Sequence, residues 1–220
     1  MRLVRAPGST FVPALVLALL AFLGLPPTPG SAQVDPSGFE AMAARNIGPG
    51  GMSGRVADVD VQASDPDVIW VGSATGGVWR SDDGGLTFEP MTDDLPTSSI
   101  GQVAIFQPNP DIVWVGTGEA NPRNSMGVGR GVWRSIDGGR TWEPLGLEST
   151  EHVSRIILHP TDPDIAWVAA LGPAWSDGQQ RGVFRTTDGG RTWEKVLYVD
   201  DSTGAADLVV DPENPDKLIA

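Results

Sequence analysis

Three carboxylates recur in one short pattern: Asp83 in 81-SDDGGLTFE-89, Asp137 in 135-SIDGGRTWE-143 and Asp188 in 186-TTDGGRTWE-194. An Asp repeated in this way could ligate a metal, act as a general acid or base, or lock its own turn. The neighbouring residues favour the lock. Asp-Gly pairs make tight hairpin turns, because Gly takes positive φ without steric cost. The Asp oxygens can accept hydrogen bonds from backbone N–H groups close by. Ser81, Asp83 and Gly85 are therefore expected to be hairpin structure. So are Ser135, Asp137, Gly139 and Trp142, and Thr186, Asp188, Gly190 and Trp193. The closing aromatics Phe88, Trp142 and Trp193 are expected to pack over the hairpin and into the gap between sheets.

A second set of chemistry-bearing residues lies in two long segments without repeats, 117-TGEANPRNSMGVGRG-131 and 171-LGPAWSDGQQRG-182. Insertions on one face of a repeat architecture are where binding residues tend to be carried. The candidate ligand-binding residues are Glu119, Arg123, Asn124, Arg130, Trp175 and Asp177. Of the 8 Trp residues, Trp175 alone has no counterpart in another repeat. Beside Asp177 it could stack on a sugar ring or a peptide side chain. The structural alternative is that Trp175 caps a neighbouring unit. For Glu119 and Arg123 the alternative is an internal salt bridge that orders the loop.

Other chemistry finds less support. His152 and His159 lack metal-ligand partners at the usual spacings. His159 takes a turn position held elsewhere by Gln107 and Asp211. The Gly-rich stretch 127-GVGRGVW-133 lies among strands, not between a strand and a helix, so no nucleotide site is expected. The serines lack a nucleophile-elbow context. No metal and no cofactor is expected. The chain has 220 residues, no Cys and a net charge of −13, which excludes disulfides and makes nucleic acid a poor partner.

The elements that must position these residues are short and repeated. Each unit, roughly fifty residues long, carries four runs rich in Val, Ile, Trp and Thr. The first unit shows 55-RVADVDV-61, 68-VIWVGS-73, 76-GGVWRS-81 and 86-LTFEPM-91. Turn signals separate the runs, which predicts a four-stranded antiparallel meander. Such a sheet cannot bury both faces alone, and stacking copies around an axis solves this as a β-propeller. A solenoid is the rival architecture, with fewer hairpins per repeat. The expected fold class is thus all-β, with three full blades and part of a fourth belonging to a larger propeller. Asp58, Arg155 and Asp207 share one position ahead of a turn Pro and are expected to line the channel, neutralising one another. Residues 1–32 read as a signal peptide, with Arg2 and Arg5 before an apolar run and small residues after it. Residues 33–54 form a lead-in and 55–220 the blades. The mature chain is then exported to the periplasm, cell surface or medium, with no stable membrane span after cleavage.

The three Gly-rich hairpins resemble the Asp-box, or bacterial neuraminidase (BNR) repeat, of secreted sialidase-type propellers, sortilin-type propellers and xyloglucan-directed endoglucanases. Together with 46-NIGPGGMSGRV-56 and 116-GTGEANPRNS-125, they make residues 45–220 most similar to bacterial secreted proteins with a sortilin-like N-terminal propeller. The repeat is shared by enzymes and binders alike. The resemblance to the endoglucanases implies a catalytic base in the loop 73-SATGG-77, yet Ala74 stands at that place. A sialidase would need a Tyr nucleophile, and the one Tyr, Tyr198, has no matching motif around it. The favoured expectation is a sortilin-like binding or scaffold module for a protein, peptide or glycan. The alternative is a glycoside hydrolase of the BNR-repeat or xyloglucanase-like kind, with carboxylates partly outside this sequence. A third is a purely structural envelope protein.

Overall fold

The computed structural model describes residues 55–211 and 214–220. The signal peptide and lead-in expected over residues 1–54 lie outside the described residues. Three four-stranded antiparallel sheets follow one another in the chain, and each is a simple meander. The first runs through β1 (Val56–Val61), β2 (Ile69–Ser73), β3 (Gly77–Ser81) and β4 (Glu89–Pro90). The second runs through β5 (Ile100–Ile105), β6 (Val113–Thr117), β7 (Val132–Ser135) and β8 (Glu143–Pro144). The third runs through β9 (Val153–Leu158), β10 (Ala166–Ala170), β11 (Gly182–Thr186) and β12 (Glu194–Leu197). A two-stranded sheet of β13 (Val209–Asp211) and β14 (Asn214–Ile219) comes last.

The first strands β1, β5 and β9 lie next to one another, so the sheets are blades arranged around a shared inner edge. The core sits between blades. Val68, Trp70 and Val78 of blade 1 pack with Ile100, Val103 and Val113 of blade 2. Trp114 and Val132 of blade 2 pack with Ile156, Val168 and Phe184 of blade 3. This explains why β6 and β10 are buried along their whole length: both faces of a middle blade are covered by neighbours.

The fourth strands are shorter than the apolar runs suggest in blades 1 and 2, at two residues each, but four residues long in blade 3. The prolines do not break the pairing, because they stand at non-hydrogen-bonded positions and Met91 N and Leu145 N just after them still donate to Val78 O and Val132 O at 2.8 Å. The regular ladder stops where the return donors turn away, Val78 N to Thr92 Oγ1 at 2.8 Å and Val132 N to Gly146 O at 3.0 Å.

Side chains of one inner strand tie down the backbone of the next. Asp58 Oδ2 accepts from Val103 N at 3.1 Å, and Asp60 Oδ2 from Ile105 N at 2.7 Å. Gln102, at the position of Asp58 in blade 2, accepts from Ile156 N. Arg155 and Asp207 form an ion pair at 3.1 Å. The charges at this position thus join adjacent blades. Burial raises the Asp60 carboxyl above its ordinary pKa against the opposing pull of its backbone N–H donors.

Candidate functional site

The three Asp-Gly-Gly turns join third to fourth strands, so they lie at the end of each blade opposite the loops between second and third strands. All three have one geometry. Ser81 Oγ donates to Asp83 Oδ1 at 2.8 Å and accepts from Gly85 N at 2.8 Å. Asp83 also accepts from Thr87 N at 2.9 Å and Thr87 Oγ1 at 2.7 Å. Asp137 receives Thr141 N and Oγ1 at 2.9 and 2.6 Å. Asp188 receives Thr192 N and Oγ1 at 2.9 and 2.7 Å. These donors hold all three carboxyls down at about 2, from the ordinary 3.8. A carboxylate so stabilised is a poor general acid at neutral pH.

The closing Trp of the second and third turns crosses to the preceding blade. Trp142 Nε1 donates to Met91 O at 2.7 Å, and its ring meets Trp70 edge-on with centroids 6.5 Å apart. Trp193 repeats this with Leu145 O at 2.7 Å and Trp114 at 6.3 Å. Gly139 lies so close to Trp70 that an added Cβ would stand 2.6 Å from Cη2. The turn therefore packs on its neighbouring blade as well as closing its own hairpin.

At the other end, the loop after β6 is drawn shut at its root. Glu119 N donates to Gly127 O at 3.1 Å and to Ser99 Oγ at 2.9 Å, while Gly129 N reaches Glu151 O at 2.7 Å. Gly118 has φ +89°, and a Cβ there would fall on Glu151 O at 1.9 Å. The Glu119 side chain is fully buried and ion-paired with Arg55, just ahead of β1. Glu119 therefore anchors the loop, and its partner is Arg55 rather than Arg123. Arg123 sits on the exposed stretch of the loop with no acidic side chain at ion-pair distance among the described residues.

The loop after β10 is organised by Arg181, which is 9% exposed. Its guanidinium donates to Asp201 O at 2.8 Å, Ser176 O at 2.6 Å, and the carbonyls of Leu171 and Pro173. This leaves Trp175 standing out at 77% exposure. A groove of about 430 Å³ opens between the two loops. Pro122, Arg123 and Met126 form one wall, and Leu171 to Trp175 form the other with Arg181 behind them. His152 lies at the base.

His152 is 1% exposed, and its Nδ1 has no hydrogen-bond partner. Burial lowers its pKa below the ordinary 6.5, opposed by the charge of Glu151. It follows a short 3-10 turn, Glu148–Thr150, flanked by two non-glycine residues at positive φ, Leu147 at 60° and Glu151 at 57°.

Of the residues expected to bind ligand, Arg123 and Trp175 both line this groove. Asn124, Arg130 and Asp177 are exposed but do not line it. His152 and Arg181 are the groove residues that sequence reasoning passed over. Arg181 had a signal: 181-RGVF-184 matches 130-RGVW-133, so it is the counterpart of Arg130. His152 had none, since its importance comes from what folds over it. His159 serves its turn, accepting at Nδ1 from Thr161 N and Asp162 N at 3.3 and 3.1 Å. Ala74, where an endoglucanase-like base would stand, is fully buried.

Four-stranded blades packed face to face around their inner strands, with variable loops at one end, define a β-propeller. The family model described as "Sortilin, neurotensin receptor 3" matches residues 76–220, and the chain belongs to this Sortilin-Vps10 family. It is 38% identical over 64 residues to the vacuolar protein sorting/targeting protein 10 of Sordaria macrospora, a match covering 29% of this chain and 4% of that protein. Among solved structures it is similar to an ancestral GH74 enzyme, with TM-score 0.61, 19% identity, and 76% of this chain on 21% of that one. It is also similar to the GH74 xyloglucanase of Xanthomonas campestris, with TM-score 0.55, 19% identity, and 73% of this chain on 25% of that one. YCF48 bound to D1 peptide gives TM-score 0.51, 18% identity, and 74% of this chain on 46% of that one. At these identities the structural likeness is one of fold. Among the described residues no helix is long and apolar enough to cross a membrane.

Proposed function

We propose that this chain is part of an exported binding propeller that holds a protein or peptide segment in the groove between the loops after β6 and β10. The observation that carries the reading is the groove itself. An exposed Trp175 from one loop and Arg123 from the other line it together with apolar walls and a buried imidazole. Apolar pockets with a few convergent polar groups are the usual form of a ligand site, and an exposed Trp with a nearby Arg is the usual composition of a binding hot spot. Membership of a family described by sortilin and a neurotensin receptor supports a protein or peptide ligand. So does the occurrence of the same fold in YCF48, seen with a bound peptide.

The hydrolase reading fares less well on the same geometry. Glycoside hydrolysis needs two carboxyl groups facing across the scissile bond. Among the described residues no carboxylate lines the groove, and Glu119 is enclosed with Arg55.

The test is a screen of the full-length protein against capped peptides and against soluble polysaccharides, with Trp175→Ala in parallel. Peptide binding that weakens in Trp175→Ala is the expected result. Release of reducing sugar would overturn the reading. Polysaccharide binding without release would change the ligand class to glycan.

A further inference from the structure

The groove contains one polar group that no neighbour explains. His152 is 1% exposed, lines the groove, and has an enclosed Nδ1 with no partner. Buried polar side-chain atoms are nearly always hydrogen-bonded, so this one asks for an account. Burial disfavours the charged ring, so the imidazole carries one proton at neutral pH. If that proton sat on Nδ1, an N–H would be shut in with no acceptor. Orphaned buried N–H groups are rarer than under-satisfied acceptors. The proton therefore belongs on Nε2, which makes the ring a neutral donor.

What could accept from it is narrowed by the walls. Pro122, Met126, Leu171 and Pro173 offer apolar surface, and the Arg181 guanidinium is already committed to four loop carbonyls. A sugar laid here would bring several hydroxyls to a site with few partners, and each left unmet is costly. An extended peptide brings a carbonyl at every residue and an apolar side chain at alternate ones. Arg123, at the rim and without an acidic partner among the described residues, suits an acidic neighbour on the ligand.

We infer that His152 selects the ligand of this groove: its Nε2–H donates to a main-chain carbonyl of an extended peptide. An apolar side chain of that peptide packs against Trp175, and an acidic side chain beside it meets Arg123. This rests on the binding reading above and deepens it.

The test uses the full-length protein and a fluorescent heptapeptide, acetylated and amidated, with adjacent Glu and Leu in a Gly-Ser background. A second peptide carries Gln for Glu, and a third Gly for Leu. Binding is expected for the first and weaker for the other two. His152→Phe should reduce affinity for the first about tenfold, as the loss of one buried hydrogen bond to the ligand. His152→Gln, which keeps a donor, should recover most of it. ¹⁵N NMR of the wild-type imidazole should show the Nε2–H tautomer at pH 7, a signature independent of how either variant folds. An Nδ1–H tautomer or a charged ring would overturn the inference. So would peptide binding that is lost in Trp175→Ala but indifferent to His152→Phe, an outcome that leaves the groove reading standing. Binding of none of the three peptides would overturn both.

Discussion

The pair that anchors the β6–β7 loop is asymmetric, and the asymmetry predicts unequal costs for its two halves. Glu119 is fully buried, and neither carboxylate oxygen has another hydrogen-bond donor among the described residues. The Arg55 side chain is 39% exposed, so water can serve it when the partner is lost. Arg55→Met strands a charge in the interior, and removing one partner of a buried pair costs about 3–5 kcal/mol. Glu119→Leu leaves only a partly hydrated guanidinium, and the cost should fall to about 1 kcal/mol, near the range for exposed pairs. The double variant replaces the pair by apolar groups and should return to within about 1 kcal/mol of wild type. Urea unfolding of the full-length protein at pH 7 measures all three, read as changes in midpoint at constant m. The double variant should be more stable than Arg55→Met alone. If Arg55→Met costs no more than Glu119→Leu, or if the double is the worst of the three, the buried charge is not what the pair neutralises. Arg55→Met should also weaken peptide binding, because the loop it secures carries Arg123.

The turn carboxylates predict an acid limb. Their folded pKa values of about 2 lie below the ordinary 3.8. The stability they contribute is therefore present above about pH 4 and lost as pH falls towards 2. Thermal unfolding between pH 5 and 2 should show this fall, and Asp137→Asn with Asp188→Asn should flatten it. Trp142→Phe removes the bond to Met91 O and part of the edge contact with Trp70, together about 1–3 kcal/mol. Its coupling to Trp70→Leu in a double-mutant cycle should exceed about 0.5 kcal/mol. Gly139→Ala puts a Cβ on Trp70 at a φ of +87°, and it should cost more than the same change at Gly84, where the nearest atom is 3.2 Å away at a similar positive φ. Equal costs would mean that conformation, not packing, sets the penalty.

Much of the architecture is legible along the chain because its determinants are local. An Asp-Gly-Gly turn closes on atoms within a few residues: Ser81, Asp83 and Thr87 form one hydrogen-bonded ring. Repetition of that turn announces repeated hairpins, and the runs rich in Val, Ile, Trp and Thr between turns announce their strands. Trp175 stands out in the sequence for the same kind of reason, because it breaks a pattern that the other tryptophans keep.

The site depends on separations the chain does not express. Arg55 and Glu119 lie 64 positions apart (119 − 55) in the sequence, and neither type predicts the other. The turn position of His159 is legible in the sequence and it bonds its own turn, but nothing around His152 marks it as lying under two loops. Sequence alone determined the repeating unit, its turns and the end of the blade that carries variable loops, because hydrogen bonds and backbone preferences act over a few residues. Only the packing of one blade on the next decided which carboxylate is enclosed, which arginine is committed to carbonyls and which histidine is desolvated, because burial and pairing come from groups distant in the chain.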